Sequence, residues 1–175
     1  MEIRLEDFIY PQITKDELYP PNIVDQWLMG YEGFKNKGNI HAYAHFVKRN
    51  ANIIMKAELS GNIIGVCSRC LEDTVIPINT DMTIIFLPQS QQRKPSNGEE
   101  IELQSDELDV EYYKGNVIDV DYLIRESLIL AIPYSPLCSE TCKGLCPHCG
   151  NNLNKDSCSC SKEQDIFNRI KINIF

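Results

Sequence analysis

The stretch CSETCKGLCPHCG, from Cys138 to Gly150, decides how the C-terminal part of this chain folds, because it holds four of the eight cysteines. The other four form two more close pairs, Cys67 with Cys70 and Cys158 with Cys160. Every cysteine therefore has a near neighbour and none is left over. In a reducing compartment, cysteines spaced in this way are typical of metal binding rather than of disulfides.

Eight thiols are enough for two tetrahedral sites of four, which is the ligand set that structural zinc prefers. We expect two structural zinc ions and no catalytic residue; iron–sulfur ligation is the alternative that cysteine spacing leaves open. The predicted ligands are Cys67, Cys70, Cys138, Cys142, Cys146, Cys149, Cys158 and Cys160. His148 lies inside one pair, but four cysteines already complete that site, so we expect it not to be a ligand.

Two pairings of the cysteine pairs are possible. In the first, Cys146/Cys149 joins Cys158/Cys160, while Cys67/Cys70 joins Cys138/Cys142. In the second, the four cysteines of residues 138–149 form a local site, and the last pair returns to Cys67/Cys70. We prefer the first, because it builds each site from two separate turns. In this pairing Cys146 and Cys149, the zinc knuckle, share a metal with a pair that follows only a short loop later. Replacing Cys149 is therefore expected to disorder only the end of the chain.

The N-terminal residues indicate the compartment. The first seven carry three acids and lack the apolar stretch of a secretory signal, so we expect a cytoplasmic protein without a membrane segment. A thiol–disulfide oxidoreductase remains an alternative for Cys67/Cys70. In such enzymes, however, the C-x-x-C pair opens a helix, whereas here it follows a predicted strand.

The charge of the chain is concentrated in one run. The formal net charge is −8, and seven acids without any Lys or Arg lie between Glu99 and Glu111. The rest of the chain has 18 acids against 17 bases and is nearly neutral. Proteins that bind nucleic acids usually carry a basic surface, and this balance shows none. The run is either a solvated loop or a docking segment for a basic protein.

Residues 1–137 are predicted to form an α+β core domain. From residue 38 to 87 apolar residues alternate, as in Ile40, Ala42, Ala44 and Phe46, and predict an antiparallel meander of about four strands. Ser60-Gly61-Asn62 reads as a tight turn between two of them. Before the meander, Asn22 is the candidate N-cap of a short helix.

The second half of the chain contains a loop, a helix and the cysteine module. Residues 88–111 are polar and then acidic and predict a loop, and residues 119–132 have a helical period with Asp119 or Asp121 as candidate N-cap. Residues 138–175 form the predicted zinc-knuckle module and tail, with a weak final helix over 162–174. The fold class is thus α+β: a mainly antiparallel sheet, a packed helix and a cysteine-rich zinc-binding C-terminal module.

The cysteine segments resemble the YceD family, the large ribosomal RNA subunit accumulation proteins of bacteria and plastids. The resemblance covers roughly residues 38–160 and rests on Cys67-Ser-Arg-Cys70-Leu-Glu, 119–126 (DVDYLIRE), 130–133 (LAIP), Cys138, 142–154 (CKGLCPHCGNNLN) and Cys158-Ser-Cys160. Family members that lack the last knuckle but keep the C-x-R-C pair favour the first pairing.

The resemblance implies a non-catalytic cytoplasmic factor for large-subunit ribosomal RNA accumulation and ribosome biogenesis. Its implied partner is a basic protein of the large ribosomal subunit or an assembly intermediate. An RNA-binding zinc protein that acts directly on ribosomal RNA is the alternative. Because basic residues are few, we expect direct RNA binding to be weak.

Overall fold

The computed structural model describes residues 1–92 and 109–160, which divide into two compact units. The first unit comprises Met1–Gly65 and Val75–Tyr134, and the second combines Val66–Thr74 with the chain from Ser135 onward. The second unit therefore contains the cysteine-rich segment together with the short loop that carries Cys67 and Cys70. The final helix expected over 162–174 lies outside the described residues.

The described chain contains seven strands and two α-helices. In order they are β1 (Glu2–Arg4), β2 (Gln12–Tyr19), α1 (Pro21–Leu28), β3 (Lys35–Arg49), β4 (Asn52–Val66), β5 (Asp73–Pro88), β6 (Val110–Tyr113), β7 (Val117–Asp119) and α2 (Asp121–Leu130). Short 3₁₀ turns follow β1 and β5, at Leu5–Asp7 and Gln89–Gln91.

A five-stranded sheet forms the body of the first unit, in the order β2-β3-β4-β5-β6. Strand β3 pairs antiparallel with both β2 and β4, whereas β6 joins the edge of β5 in parallel. Strands β1 and β7 form a separate antiparallel pair. The predicted fold class, α+β with a mainly antiparallel sheet, is confirmed.

The alternation predicted for β3 fixes which face of the sheet is buried. Ile40, Ala42, Ala44 and Phe46 are all fully buried, and their cross-strand partners on β4 include Ala57 and Met55, which are buried too. Small residues at 42, 44 and 57 leave room for larger neighbours from other elements, as close packing requires. The period of two therefore places one face of the sheet in the core.

The predicted turn at Ser60-Gly61-Asn62 is wrong, because β4 runs through it without a break. Gly61 serves a different purpose. The register between β3 and β4 shifts between Asn36 and Ile40, and a Cβ at Gly61 would lie only 2.6 Å from Ile40 Cδ1. Glycine in a strand interior often marks such a bulge, where two backbones approach closely. The meander consequently has three long strands where about four were expected.

The predicted loop over 88–111 extends too far at its C-terminal end. Strand β6 begins at Val110 and pairs with β5 from Ile85 onward. A four-residue edge strand gives almost no periodic signal, and the acids around it suggested a solvated segment. Residues 99–108, which hold most of the acidic run, lie outside the described residues.

Strand β2 and the start of α1 also differ from the sequence interpretation. Strand β2 lies at the sheet edge and carries Lys15, Asp16 and Glu17 in its middle, so its polar sequence hides it. Helix α1 begins at Pro21 rather than after Asn22. Proline suits the first helical position, because its missing N–H would have no partner there.

Helix α2 lies within the predicted range 119–132. Leu123, Ile124 and Leu128 are buried along one side, as the helical period predicts. Asp119 Oδ1 accepts a hydrogen bond from the backbone N–H of Asp121 at 2.9 Å, although Val120 occupies the N-cap position. Among residues 1–92 and 109–160, no helix has the length and apolar character needed to cross a bilayer.

Two leucines of α2 provide a matched test of this packing. Leu128 is fully buried, whereas Leu130 is 84% exposed. Leu128→Ala should lower the free energy of unfolding by about 2–5 kcal/mol, because it removes buried methyl groups and leaves a cavity. Leu130→Ala should change it by less than about 0.5 kcal/mol. Urea denaturation of both variants measures the difference, and equal effects would contradict the packing of α2.

Candidate metal centres

Four cysteines from two distant segments meet in the first cluster, which comprises Cys67, Cys70, Cys138 and Cys142. Their Sγ atoms all lie within 4.8 Å of one another, with 3.8 Å between Cys67 and Cys142 and 3.6 Å between Cys70 and Cys138. Four sulfurs around zinc at about 2.3 Å stand about 3.8 Å apart, so the spacing fits a tetrahedral thiolate site. Three of the four residues are buried, and Cys138 is exposed.

The loop between β4 and β5 folds into a tight turn that presents both of its sulfurs in one direction. The Leu71 N–H donates to the Cys67 carbonyl at 2.9 Å, and the Cys67 N–H donates to the Glu72 carbonyl at 2.9 Å. Leu71 adopts a left-handed conformation, with φ of +60°. The side chain of a leucine disfavours this region, so the turn holds local strain.

Arg69 joins the two segments of the first cluster. Its Nη1 donates to the backbone carbonyls of Glu140 at 3.3 Å and of Cys142 at 3.0 Å. Its own carbonyl accepts a hydrogen bond from the Leu145 N–H at 3.1 Å. Sequence reasoning gave Arg69 no role, and its position inside a C-x-R-C motif was the signal that could have suggested one. The side chain supports the site and is not a free basic group.

The second cluster, Cys146, Cys149, Cys158 and Cys160, forms around the predicted knuckle. Its four Sγ atoms also lie within 4.8 Å of one another. The Gly150 N–H donates to the Cys146 carbonyl at 2.9 Å, and the His148 N–H points at Cys146 Sγ at 3.5 Å. Within the described residues neither cluster includes His148.

The C-x-x-C turn of each cluster, Cys67/Cys70 or Cys146/Cys149, is a knuckle, and the two knuckles share one backbone geometry. In each, the residue after the second cysteine has a positive φ and donates its N–H to the carbonyl of the first cysteine. Gly150 occupies this position in the second cluster, with φ of +74°, where glycine is free of strain. Leu71 occupies it in the first. The repeated geometry places the two sulfurs of each pair where they could bind one metal.

Gly144 permits the close approach of the two parts of the unit. Its φ is +74°, and an added Cβ would lie 3.0 Å from the carbonyl oxygen of Arg69. Glycine is therefore required both by the backbone conformation and by the contact.

Backbone donors favour the thiolate form of the first cysteine in each knuckle. Burial raises the pKa of Cys67, but hydrogen bonds from backbone N–H groups, with Cys138 first, outweigh it and lower that pKa to about 6. The backbone N–H groups of Cys149 and His148 lower the pKa of Cys146 to about 6. Because the thiolate is the form that binds metals, each knuckle offers one ready ligand near neutral pH.

In each cluster another thiol holds its proton more tightly than an ordinary cysteine does. A hydrogen bond with Cys142 raises the pKa of Cys138 to about 12, and a hydrogen bond with Cys149 raises the pKa of Cys160 to about 12. Binding of a dication must displace such protons. Both clusters consist of four sulfur ligands, which is the donor set of closed structural zinc sites.

The structure groups the eight predicted ligands as in the first of the two pairings. The local site over residues 138–149, with the last pair returning to Cys67/Cys70, does not form.

A separate feature is an open groove of about 850 Å³ on the sheet of the first unit, lined by His41, Tyr43, Lys56 and Asp81 among others. None of the eight cysteines lines it.

The profile of the family described as "Large ribosomal RNA subunit accumulation protein YceD" matches residues 55–171, which include both clusters. This chain belongs to the YceD family. The family description connects its members with accumulation of the large ribosomal RNA. Residues 1–54, which contain β1–β3 and α1, lie outside the matched part.

Relatives with curated sequences match shorter parts of the chain. A 47-residue segment is 43% identical to the chloroplastic "Large ribosomal RNA subunit accumulation protein YCED homolog 1" of Arabidopsis thaliana and covers 27% of this chain and 15% of that protein. Over 99 residues the chain is 27% identical to uncharacterized proteins of Mycobacterium bovis and Mycobacterium tuberculosis, which is 56% of this chain and 44% of theirs. The aligned regions thus span less than half of these relatives, and no solved structure matches.

Metal content tests both clusters. We expect two zinc ions per chain, and each of the variants Cys70→Ser and Cys149→Ser should bind one fewer at saturating zinc, because a site with three thiolates holds the metal much more weakly. Elemental analysis of the purified proteins measures this. A wild-type count of one, or no metal together with a Cys67–Cys70 disulfide, would contradict the assignment.

Zinc affinity should fall as the pH falls. The lowered pKa values of Cys67 and Cys146 keep these ligands deprotonated above about pH 6, and this advantage is lost as the pH drops through that value. Protons then compete for every ligand, so the decline should steepen below about pH 6. Competition with a chelator of known pH dependence at pH 8, 7, 6 and 5 measures the profile. A flat profile from pH 7 to 5 would exclude thiolate ligation.

Proposed function

We propose that this protein is a non-catalytic cytoplasmic factor that supports large-subunit ribosomal RNA accumulation by binding a basic protein of the large ribosomal subunit or an assembly intermediate. Two structural zinc ions hold its cysteine-rich unit in shape. The observation that carries the proposal is the family match over residues 55–171, which spans both four-cysteine clusters. The ligand set and the burial of the cysteines then indicate whether the clusters are structural or catalytic.

The clusters suit a structural role rather than catalysis. Each supplies four sulfur ligands, so a bound zinc would have no open position for water or substrate. An oxidoreductase would need an accessible thiol, yet Cys67 is 0% and Cys70 3% exposed. The C-x-x-C pair of redox enzymes opens a helix, whereas this pair lies between strands β4 and β5.

Charge favours a protein partner over direct RNA binding. The described part of the second unit has three basic side chains against four acidic ones: Arg69, Lys143 and Lys155, and Glu72, Asp73, Glu140 and Asp156. Arg69 is engaged with backbone carbonyls, and Lys155 pairs with Glu72 at 2.8 Å. Few cations therefore remain for phosphates, while the acidic run suits a basic partner.

The cysteines support the proposed compartment. All eight are free thiols in the structure, and they group by ligand geometry rather than in bonded pairs. Thiols persist in this state in a reducing environment.

The acidic run should speed association with a basic partner. Replacing Glu99, Glu100 and Glu102 with Gln should slow binding to purified basic proteins of the large subunit by about tenfold at low salt, because electrostatic steering is lost. The matched control replaces the exposed Glu17, Glu32 and Glu58, which changes the net charge equally. Stopped-flow association rates of both variants at two salt concentrations show whether the location of the removed charges matters or only the net charge.

Two outcomes would reject this partner. Equal rates for the two charge variants would show that the run is only a solvated loop. Tight binding of the isolated protein to ribosomal RNA at physiological salt, with a steep decrease as salt rises, would favour the RNA-binding alternative instead.

A further inference from the structure

Asn154 belongs to the loop of one cluster but contacts a ligand of the other. It lies between Cys149 and Cys158 of the second cluster, yet its Nδ2 donates to Cys142 Sγ of the first cluster at 3.2 Å. Its Oδ1 accepts the backbone N–H of Lys143 at 2.8 Å. One side chain therefore holds both a cysteine sulfur and the backbone next to it.

The side-chain oxygen of Asn154 accepts one hydrogen bond and its nitrogen donates two, so the orientation of the amide is defined. Its second N–H donates to Asn152 Oδ1 at 3.0 Å, and the same oxygen accepts the Asn154 backbone N–H at 3.0 Å. A flipped amide would turn its oxygen toward the sulfur and would lose all three side-chain hydrogen bonds. Asn152 thus orients Asn154 toward Cys142.

The loop that carries these asparagines is fastened to the first cluster along its length. Leu145 and Asn152 form an antiparallel bridge, and the Leu153 N–H donates to the Gly144 carbonyl at 2.9 Å. Asn152 Nδ2 also donates to Glu72 Oε1 at 3.3 Å. Glu72 follows directly after Leu71 in the turn of the first cluster.

An N–H donor matters to a thiolate site because of its charge. Four thiolates around a dication carry a net charge of −2, and hydrogen bonds to the sulfurs offset this charge and orient the ligands. Such supporting groups typically change metal affinity by about 10- to 100-fold when they are removed.

Asn154 is linked to the second cluster through its loop. Its loop spans residues 150–157 and is bounded on both sides by cysteines of that cluster, and its apolar content is Leu153 alone. Metal at the second cluster would close the loop and remove much of its conformational freedom. Without that metal, the loop loses more conformational entropy when Asn154 is held against Cys142, so this contact is less stable.

We propose that Asn154 couples the two clusters: metal in the second cluster fixes Asn154 against Cys142, and this raises the affinity of the first cluster for metal. Asn154 is a positioning residue and not a ligand. The coupling is reciprocal, so filling the first cluster also favours the second. The proposal rests on the metal sites of the proposed function, and it replaces the expectation that loss of Cys149 affects only the end of the chain.

The test reads each cluster separately with ¹¹³Cd. The fully loaded protein should give one cadmium resonance per cluster, assigned with Cys70→Ser and Cys149→Ser. In chelator competition, Asn154→Ala should weaken the first cluster by about 10- to 100-fold. The matched control is Asn151→Ala, which lies in the same loop and contributes only its backbone carbonyl to the hydrogen bonds, and it should leave that affinity unchanged.

A double-mutant cycle identifies the route of the coupling. The double variant Cys149→Ser/Cys160→Ser empties the second cluster and should weaken the first to a similar degree. Adding Asn154→Ala to it should then have little further effect, because both changes remove the same contact. Full additivity, or an unchanged first cluster in either variant, would overturn the coupling.

A measurement on the unmodified sequence covers the case in which a variant fails to fold. In the ¹¹³Cd-loaded protein, the Asn154 side-chain N–H should show coupling through its hydrogen bond to the cadmium of the first cluster. The absence of that coupling would overturn the proposal. The two hypotheses fail differently: binding of no metal rejects the sites themselves, whereas two metals with independent affinities reject only the role of Asn154.

Discussion

The convergence of four sulfur atoms in the first cluster is the constraint on which the second unit depends. The facing pairs, Cys70 with Cys138 and Cys67 with Cys142, are 68 and 75 residues apart in sequence. Apolar packing does little to hold these segments together. The buried cluster of this unit consists of Cys67, Cys70 and Cys142, with Leu145 packed against it. A unit with so small a core needs another source of stability, which a metal bound by the four thiolates would supply.

Around this constraint, the polar contacts are local and specific. Arg69 fastens the carbonyls beside Cys142, Gly144 allows the backbone to approach Arg69, and Asn154 reaches Cys142 from the neighbouring loop. Each of these contacts concerns the position of a ligand or of the backbone that carries it. The residues between the cysteines are therefore part of the site, although none of them is a ligand.

The sequence was most informative where spacing alone defines the chemistry. Close pairs of cysteines predicted two groups of four, because a tight turn brings neighbours in sequence to one metal, although two pairings of these pairs stayed open. It was least informative where a tertiary contact decides the structure. Gly61 looked like part of a turn, but it accommodates the bulge of β3 beside Ile40. Strand β2 was missed because edge strands tolerate charges such as Lys15 and Glu17, and β6 because four residues carry almost no periodicity. Asn154 could not be found from spacing, since its partner is a sulfur of the other cluster.

The family match covers residues 55–171 and leaves the N-terminal strands outside it. It begins at Met55, within β4, and includes β5, α2 and every cysteine, whereas β2 and β3 precede it. Strand β3 nevertheless supplies fully buried residues such as Phe46 to the core, so the sheet is not complete without the unmatched part. The N-terminal strands thus have a clear structural task in supporting β4 and β5. The loop that carries Cys67 and Cys70 follows β4 and precedes β5 in the chain.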